Sequence, residues 1–175
     1  MKQLFLSVLV TLISVACFAQ SPLALTEKQV NAGFGLYGKG TSFMVGMDFG
    51  IMENITAGGE LALRSKTNAF LGGKIKYNGF GLGANMNYHF GNLFNLDSKI
   101  DVYGGLNLNY FRWNTDIVDT SGNPTNYIGK LDYSSGLGID LQIGGRYFFT
   151  DKFGVNLELG GMSYSGGKVG ITYKF

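Results

Sequence analysis

The side chains that most often carry chemistry are scarce in this sequence. The chain has one histidine, His89, and one cysteine, Cys17. A nucleophile needs a base within hydrogen-bond reach, and no Ser stands near His89 in its own segment. One His and one Cys cannot form the clusters that bind transition metals, and Asp116 and Asp119 are too scattered to indicate a calcium site. The sequence therefore predicts no catalytic residue, no metal site, no cofactor and no enzymatic activity.

A glycine-rich stretch matches two phosphate-binding patterns by spacing alone. Residues 33–38 read Gly-Phe-Gly-Leu-Tyr-Gly, which satisfies the dinucleotide-binding pattern, and Lys39 nearly completes a P-loop. Gly40 stands where a P-loop needs Ser or Thr, and neither pattern is followed by a helix whose N-terminus could hold a phosphate. Because the chain has 28 glycines, we interpret both matches as chance.

The dominant pattern is a period of two, which is typical of β-strands with one apolar and one polar face. The same alternation occurs in seven segments and then once more in residues 167–175, so the sequence predicts eight strands. The two prolines, Pro22 and Pro124, lie outside all of them. The apolar face of the last segment holds Val169, Ile171, Tyr173 and Phe175.

The connections between the predicted strands differ in length in a regular way. Tight turns follow the second and sixth strands, and long polar connections follow the third and fifth. Part of the first long connection, 70–77, could extend the flanking strand, and the connection at 91–99 is longer than an ordinary turn. The predicted tight turns are 52–54 and 150–152, and the predicted long connections are 65–78 and the loop that Trp113 opens, to about Lys130.

The first 19 residues have the pattern of a secretory signal peptide. A positively charged start precedes a largely apolar run at 4–16, and Cys17-Phe18-Ala19 has the small-x-small form of a cleavage site. This run is shorter than the roughly 20 residues that a membrane-spanning helix needs. We therefore predict a cleaved leader at 1–19 and one domain at 20–175. Lipidation of Cys17 is the alternative, although Ser14 stands where the lipoprotein pattern usually has Leu.

Alternating segments that end on an aromatic residue resemble the small eight-stranded outer-membrane β-barrel proteins of Gram-negative bacteria, a porin-like group whose last strand commonly ends in Phe. The resemblance implies an all-β fold, an eight-stranded antiparallel up-and-down transmembrane β-barrel. It also implies a place in the bacterial outer membrane with both termini in the periplasm. The barrel-insertion machinery is expected to recognise Val169, Ile171, Tyr173 and Phe175.

The resemblance also implies partners. These are outer-membrane lipid and lipopolysaccharide, and periplasmic chaperones during assembly. No basic run suggests nucleic acid, and the barrel is expected to be a monomer.

A barrel of this size has an interior about wide enough for side chains to fill, so its inward charges must find partners. Strand pairing around the predicted turns puts Arg146 opposite Asn156, and Glu158 near Thr172 and Lys174. We interpret the inward charges as a self-satisfied polar plug; the alternative is that the pairs rearrange and gate a narrow path. The predicted lumenal charge network is Asp48, Glu60, Arg64, Asp140, Arg146, Glu158 and Lys174, with Asp101 as a further inward acid.

Aromatic residues near the predicted strand ends are expected to form girdles at the two membrane interfaces. These residues are Phe43, Phe90, Tyr110, Trp113, Phe149, Phe153 and Phe175.

These patterns indicate a location more than an activity. We predict a structural or surface-loop-presenting outer-membrane barrel, and the alternative is a narrow porin-like channel for small solutes. The third candidate is a lipid-modifying outer-membrane enzyme; such enzymes use a His near the outer leaflet, whereas His89 is predicted at the periplasmic end. A soluble barrel of lipocalin type would turn its apolar face inward and its polar face to water. The polar face here is mostly Gly, Asn and Gln with few charges, whereas about 25–35% of a soluble surface is usually ionisable.

Overall fold

The computed structural model of the chain describes residues 23, 25–38, 41–126, 129, 131, 133–161 and 165–175, with side chains omitted at 36–38 and 165. The predicted leader at 1–19, including Cys17, lies outside the described residues, and so does Lys39 of the glycine-rich stretch.

The described residues form a closed antiparallel barrel of eight strands in which each strand pairs with its neighbours in the chain. The first and last strands pair with each other and close the barrel. The predicted eight-stranded up-and-down barrel is therefore confirmed. The strands are β1 Lys28–Gly38, β2 Thr41–Met52, β3 Ile55–Phe70, β4 Gly73–His89, β5 Ile100–Asp119, β6 Gly136–Phe148, β7 Phe153–Gly160 and β8 Ser165–Lys174.

Closure depends on the last residues of the chain. In the β1–β8 ladder Val30 lies opposite Tyr173 and Ala32 opposite Ile171. The backbone N–H of Phe175 then donates to the carbonyl of Lys28 at 3.0 Å, which continues the ladder to the final residue. We call this end of the barrel, where β1 begins and β8 ends, the terminal end.

The opposite end, which we call the hairpin end, is uneven because three strands are much longer than the rest. β3, β4 and β5 have 16, 17 and 20 residues, whereas about 9–11 residues are enough to cross a bilayer. Within the predicted connection at 65–78, the strand extension expected in 70–77 is confirmed for residues 73–77 of β4. The rest of the connection is wrong, because β3 and β4 continue as a ladder from Ser65 opposite Asn78 to Phe70 opposite Gly73. The turn is only Leu71-Gly72, and Gly72 adopts a φ of 99° that favours glycine.

The predicted loop after the fifth strand is also shorter than expected. Trp113 does not open a loop, because β5 continues to Asp119. The Asp119 carboxylate then accepts backbone N–H groups from Asn123 at 2.8 Å and Ser121 at 2.9 Å. The hydrogen bond from Asn123 is the main reason that the pKa of Asp119 lies below its usual value. The sequence hid these extensions because beyond the apolar band the faces of β4 and β5 exchange character: Ile75, Tyr77 and Trp113 face the lumen, whereas Lys74, Lys76 and Arg112 are exposed outside.

Two smaller differences concern the connections. The 91–99 segment contains a short helix, α1, at Gly91–Phe94, which the sequence did not indicate. It ends at Asn95, which has a left-handed conformation with φ of 51°. β6 begins at Gly136 rather than near Tyr133. Within the described residues, no helix has the length and apolar character needed to cross a membrane.

Candidate functional site

The strand period of two sends apolar side chains outward and polar side chains into the lumen. On β4, for example, Leu82 and Met86 are exposed on the outside while Asn87 and His89 are buried. Exposed outward side chains include Phe43, Val45, Leu61, Leu63, Phe80, Leu106, Leu108, Leu141, Leu157 and Ile171, and buried inward ones include Gln29, Asp48, Thr56, Asp101, Asn107, Gln142, Arg146 and Lys168. The described barrel thus has an apolar exterior and a polar interior.

The first lumenal cluster is centred on Arg146, near the terminal end. Its guanidinium donates to Asp48 Oδ2 at 2.7 Å and to Asp101 Oδ2 at 2.9 Å. The side chains of all three residues are at most 3% exposed. The Cζ of Arg146 also lies 4.2 Å from the ring centroid of Tyr103, within the range of a cation–π contact. One cation therefore neutralises part of the charge of two buried carboxylates from β2 and β5.

His89 extends this cluster across β3, β4 and β5. Its Nδ1 lies 2.8 Å from Asp101 Oδ1, and its Nε2 lies 3.0 Å from Thr56 Oγ1. Since a carboxylate can only accept, Nδ1 donates its proton to Asp101, and Nε2 forms the hydrogen bond with the Thr56 hydroxyl. Sequence reasoning missed Thr56 because it looked for a hydroxyl on the strand of His89, whereas Thr56 lies on β3 opposite Asn87.

The order hydroxyl, imidazole, carboxylate is the order found in serine-hydrolase triads. Here, however, Thr56 and His89 are each only 1% exposed, and neither lines the lumenal cavity described below. A substrate carbonyl has no access to the Thr56 oxygen in this arrangement. The contacts of His89 are therefore those of a side chain that holds three strands together.

The second lumenal cluster is centred on Lys168 of β8. Its Nζ lies 2.7 Å from Glu60 Oε2 and 2.5 Å from Glu158 Oε1. The predicted neighbours of Glu158, Thr172 and Lys174, are wrong because β8 begins at Ser165 and the register puts Lys168 opposite Glu158. The alternation in the last strand could have indicated that Lys168 faces the lumen, since Lys168 falls on the polar face of that strand.

Tyr103 connects the two clusters. Its ring faces Arg146, and its hydroxyl donates to Glu158 Oε2 at 2.9 Å. Gly144 lies opposite Tyr103 in the β5–β6 ladder, and a Cβ on Gly144 would lie 2.3 Å from Tyr103 Cζ. The Tyr103 ring can therefore occupy this position only because residue 144, on the neighbouring strand, is a glycine.

The other predicted lumenal charges are held by different contacts. Asp140 accepts a hydrogen bond from Asn109 Nδ2 at 2.8 Å. Arg64 is buried with its Cζ 4.9 Å from the ring centroid of Phe111. Lys174 places its Nζ 3.8 Å from the ring centroid of Phe148. The register prediction for Arg146 opposite Asn156 agrees with the β6–β7 ladder; whether the charged set forms a functional network stays a prediction.

A small cavity lies between the two clusters. Its volume is about 30 Å³, and its lining includes Asp48, Glu60, Tyr103, Arg146 and Lys168. Since one water molecule needs at least roughly 10–15 Å³ of such space, the cavity has room for one to three waters. Polar atoms from both clusters face this space.

At the hairpin end an aromatic plug, which we define as Tyr77, Phe111, Trp113 and Tyr133, fills the lumen. Trp113 stacks on Tyr133 at 4.8 Å between centroids and on Phe111 at 5.9 Å. Tyr77 meets Tyr133 edge-on at 4.6 Å. The predicted place of Trp113 in an interfacial girdle is wrong, because its side chain is 8% exposed and points inward with Phe111.

The rest of the predicted girdle lies largely on the outside of the barrel. The exposed members of the predicted girdle are Phe43, Tyr110, Phe149, Phe153 and Phe175. Phe90, unlike them, packs beside Tyr88, at 5.2 Å between ring centroids, and beside Phe94 of α1, at 6.0 Å.

In the part of the chain that the structure describes, no three His, Cys, Asp or Glu side chains are placed to hold a metal ion.

No protein-family model matches the sequence, and no curated protein matches it. Solved structures do resemble it. Ail, the attachment invasion locus protein of Yersinia pestis, matches with a TM-score of 0.53 and 11% identity over 86% of this chain and 99% of that chain. The N-terminal β-barrel domain of OprF from Pseudomonas aeruginosa matches with a TM-score of 0.54 and 14% identity over 86% of this chain and 98% of that chain. The outer membrane protein OprG from the same species matches with a TM-score of 0.54 and 13% identity over 89% of this chain and 99% of that chain. At these identities the likeness shows the fold: the chain has the closed eight-stranded barrel fold of small outer-membrane proteins.

Proposed function

We propose that the chain is an integral barrel of the bacterial outer membrane that has no enzymatic activity and presents its long hairpins at the cell surface. The observation that carries this proposal is the apolar exterior around a buried polar lumen, the reverse of a soluble barrel. Covering one large apolar side chain stabilises a protein by about 1.5–3 kcal/mol. A lipid environment covers the whole set of exposed Leu, Ile, Val and Phe side chains at once.

The contents of the lumen support a structural role. The Arg146 and Lys168 clusters occupy the terminal half and the middle, and the aromatic plug occupies the hairpin end. Between the clusters the cavity measures only about 30 Å³. A lumen filled in this way favours an anchor for surface segments over a conduit.

The strand lengths support an orientation with the termini in the periplasm. At the terminal end β2 and β3 are separated only by Glu53 and Asn54, and β6 and β7 only by residues 149–152, whereas the β4–β5 connection at 90–99 is longer and holds α1. At the hairpin end β3, β4 and β5 continue well beyond the apolar band. Short periplasmic turns and long extracellular segments are the usual arrangement in outer-membrane barrels.

A pair of cysteine variants tests the location and orientation together. Leu71, in the β3–β4 turn, is fully exposed, and Glu53 is exposed in the β2–β3 turn at the other end. The chain's one cysteine, Cys17, falls in the predicted leader. We expect a membrane-impermeant maleimide to label Leu71→Cys on intact cells and Glu53→Cys only after the outer membrane is permeabilised. Equal labelling of both variants on intact cells, or the reverse order, would contradict the proposal.

The partners follow from the same proposal. Outer-membrane lipid and lipopolysaccharide would surround the barrel, which we propose is a monomer, and chaperones and the insertion machinery would act during assembly.

The final residues Val169, Ile171, Tyr173 and Phe175 form the outward face of the closing strand, which supports their role as an insertion signal. Deleting Phe175 should lower the amount of heat-modifiable barrel in the outer membrane, while Phe149→Ala, at an exposed turn, should leave it unchanged. Equal amounts in both strains would count against this signal.

A narrow channel is the second candidate, and one observation favours it. The cavity is lined by both signs of charge, and ion pairs connect β2 with β6 and β3 with β8 across the lumen. If Arg146 and Lys168 exchanged partners, the cavity could join the spaces above and below it.

A further inference from the structure

The second lumenal cluster has more acids than bases. One ammonium group, that of Lys168, is shared between the carboxylates of Glu60 and Glu158. The Tyr103 hydroxyl donates a hydrogen bond to Glu158 but brings no charge. Because one ammonium group neutralises only one carboxylate, the cluster keeps an excess of one negative charge. A buried charge is stable only when it is paired or coordinates a cation.

Other inward bases of the described barrel are engaged elsewhere. Arg146 is shared between two carboxylates of the first cluster. Arg64 lies beside the ring of Phe111 at the hairpin end, and Lys174 lies over the ring of Phe148 at the terminal end. The excess negative charge therefore stays with the second cluster.

The carboxylate of Glu60 has one oxygen that faces this problem directly. Its Oε2 accepts a hydrogen bond from Lys168 at 2.7 Å. Its Oε1 is buried and accepts no hydrogen bond from the described residues. The side chain is only 11% exposed, and Glu60 lines the lumenal cavity. A buried carboxylate oxygen without a donor thus borders a space that can hold a ligand.

Two further oxygens meet at the same wall of the cavity. Asp48 and Asn85 line the cavity and lie opposite Gly58 on its two sides. A Cβ on Gly58 would lie 2.5 Å from Asp48 Oδ1 and 2.9 Å from Asn85 Oδ1, so these oxygens are at most 5.4 Å apart. Asp48 uses its other oxygen for Arg146, and Glu60 is the next inward residue of β3. Hard cations lie about 2.3–2.6 Å from oxygen ligands, so one ion can contact two oxygens about 5 Å apart.

We propose that the cavity binds one sodium ion, with Glu60 Oε1, Asp48 Oδ1 and Asn85 Oδ1 as its protein ligands. Carboxylate and amide oxygens suit a hard cation of this kind. The single positive charge of the ion matches the excess of one negative charge in the second cluster. The cavity of about 30 Å³ has room for the ion and a water molecule. The ion would join β2, β3 and β4 and complete the neutral filling of the lumen.

The dependence of stability on sodium tests this inference. The wild-type protein in zwitterionic detergent micelles is unfolded reversibly with urea over a series of sodium chloride concentrations. N-methyl-D-glucamine chloride keeps the ionic strength constant, and this organic cation is too large for a cavity of about 30 Å³. An ion that binds only the folded state shifts the equilibrium by mass action. Above the dissociation constant, each tenfold increase in sodium should therefore raise the ratio of folded to unfolded protein about tenfold.

Three variants connect the effect to the cavity. Glu60→Gln keeps the size of the side chain but removes its charge, and it should abolish the sodium dependence. Asp140→Asn removes a lumenal charge that does not line the cavity, and this control should keep the dependence. Asn85→Ala removes one ligand without changing the charge and should move the rise to higher sodium concentrations. It serves as the test if Glu60→Gln does not fold.

Equal stability of the wild type in sodium and in N-methyl-D-glucamine would overturn the inference, because a proton or a water molecule would then satisfy Glu60. A response of Glu60→Gln or Asn85→Ala identical to that of the wild type would overturn it as well. Since the measurement is made in micelles, neither outcome depends on the proposed membrane location.

Discussion

Arg146 shows how a charged residue can be stable inside a narrow barrel. It bridges Asp48 and Asp101, and Asp101 in turn accepts from His89. Taking charges out of water is costly, and the cost is offset only when each charge has well-placed partners. In this lumen the partners come from several strands, so the side-chain network also ties distant parts of the barrel wall together.

Replacing Arg146 by Met should therefore destabilise the barrel strongly. The change leaves two buried carboxylates without their shared cation, for which we expect a loss of about 3–5 kcal/mol in the free energy of unfolding. Denaturant titration of the folded protein in detergent micelles measures this loss. Lys152→Met, at an exposed turn, is the control and should change stability by less than about 0.5 kcal/mol. A stability of Arg146→Met within about 1 kcal/mol of the wild type would show that the cluster is not a structural element.

At the residue scale, alternation was sufficient to place side chains but not to pair them. It assigned Asp48, Glu60 and Glu158 to the inner face because parity within one strand is a local property. Pairing depends on the register between strands, and a shift in the β7–β8 connection moved the partner of Glu158 from the Lys174 region to Lys168. Thr56 escaped notice for the same reason, since it contacts His89 from the neighbouring strand.

At the element scale, glycines on one strand make room for aromatic rings on the next. In the barrel ladders, Gly79 lies opposite Trp113, Gly81 opposite Phe111, and Gly144 opposite Tyr103. A Cβ at any of these glycines would come within 2.7 Å of a ring atom. The pattern accounts for part of the high glycine content and explains how a narrow lumen holds large rings.

A matched pair of glycine variants tests this arrangement. A Cβ on Gly81 would lie 2.3 Å from Phe111 Cζ, whereas a Cβ on Gly136 would meet no atom within 4 Å. We expect Gly81→Ala to cost about 1–3 kcal/mol of unfolding free energy, because the ring must leave its position. Gly136→Ala should be neutral or slightly stabilising in the same denaturant titration. Equal stability of the two variants would mean that the Phe111 ring has other space available.

The aromatic plug makes a prediction that fluorescence can check. Trp113 is the only tryptophan, and Tyr133 stacks on it from the connection between β5 and β6. Tyr133→Ala should uncover the indole, shift its emission to longer wavelength and increase quenching by acrylamide. Tyr147→Ala, which changes an exposed outward ring, should leave both readings unchanged. An unchanged quenching constant in Tyr133→Ala would show that Tyr133 does not shield Trp113 in solution.

The length of β3, β4 and β5 could be predicted only up to the edge of the apolar band. Below that edge the outer face is apolar and the period of two is easy to see. Above it, Lys66, Thr67 and Asn68 make both faces of β3 polar, and on β4 and β5 the apolar residues move to the inner face. The ladder continues there through backbone hydrogen bonds, which leave no mark on residue type. The burial of Trp113 followed from that continuation and was missed with it.

At the scale of the whole molecule, the sequence was most informative. Apolar and polar faces over eight segments, together with the resemblance to small outer-membrane barrels, predicted a closed barrel, and the pairing of β1 with β8 confirms it. The contents of the lumen required the three-dimensional register. Together they describe an apolar shell around a core of ion pairs and rings, with the long β3, β4 and β5 strands extending at the hairpin end.

The central claim is that this core fills the lumen, and single-channel recording tests it most directly. The purified wild-type protein, shown by heat-dependent gel migration to be folded, is inserted into a planar bilayer and recorded over a range of voltages in potassium chloride. A filled lumen predicts no discrete openings at any voltage. Discrete openings whose frequency changes in Arg146→Met or Glu158→Gln would contradict the filled lumen and support a gated channel.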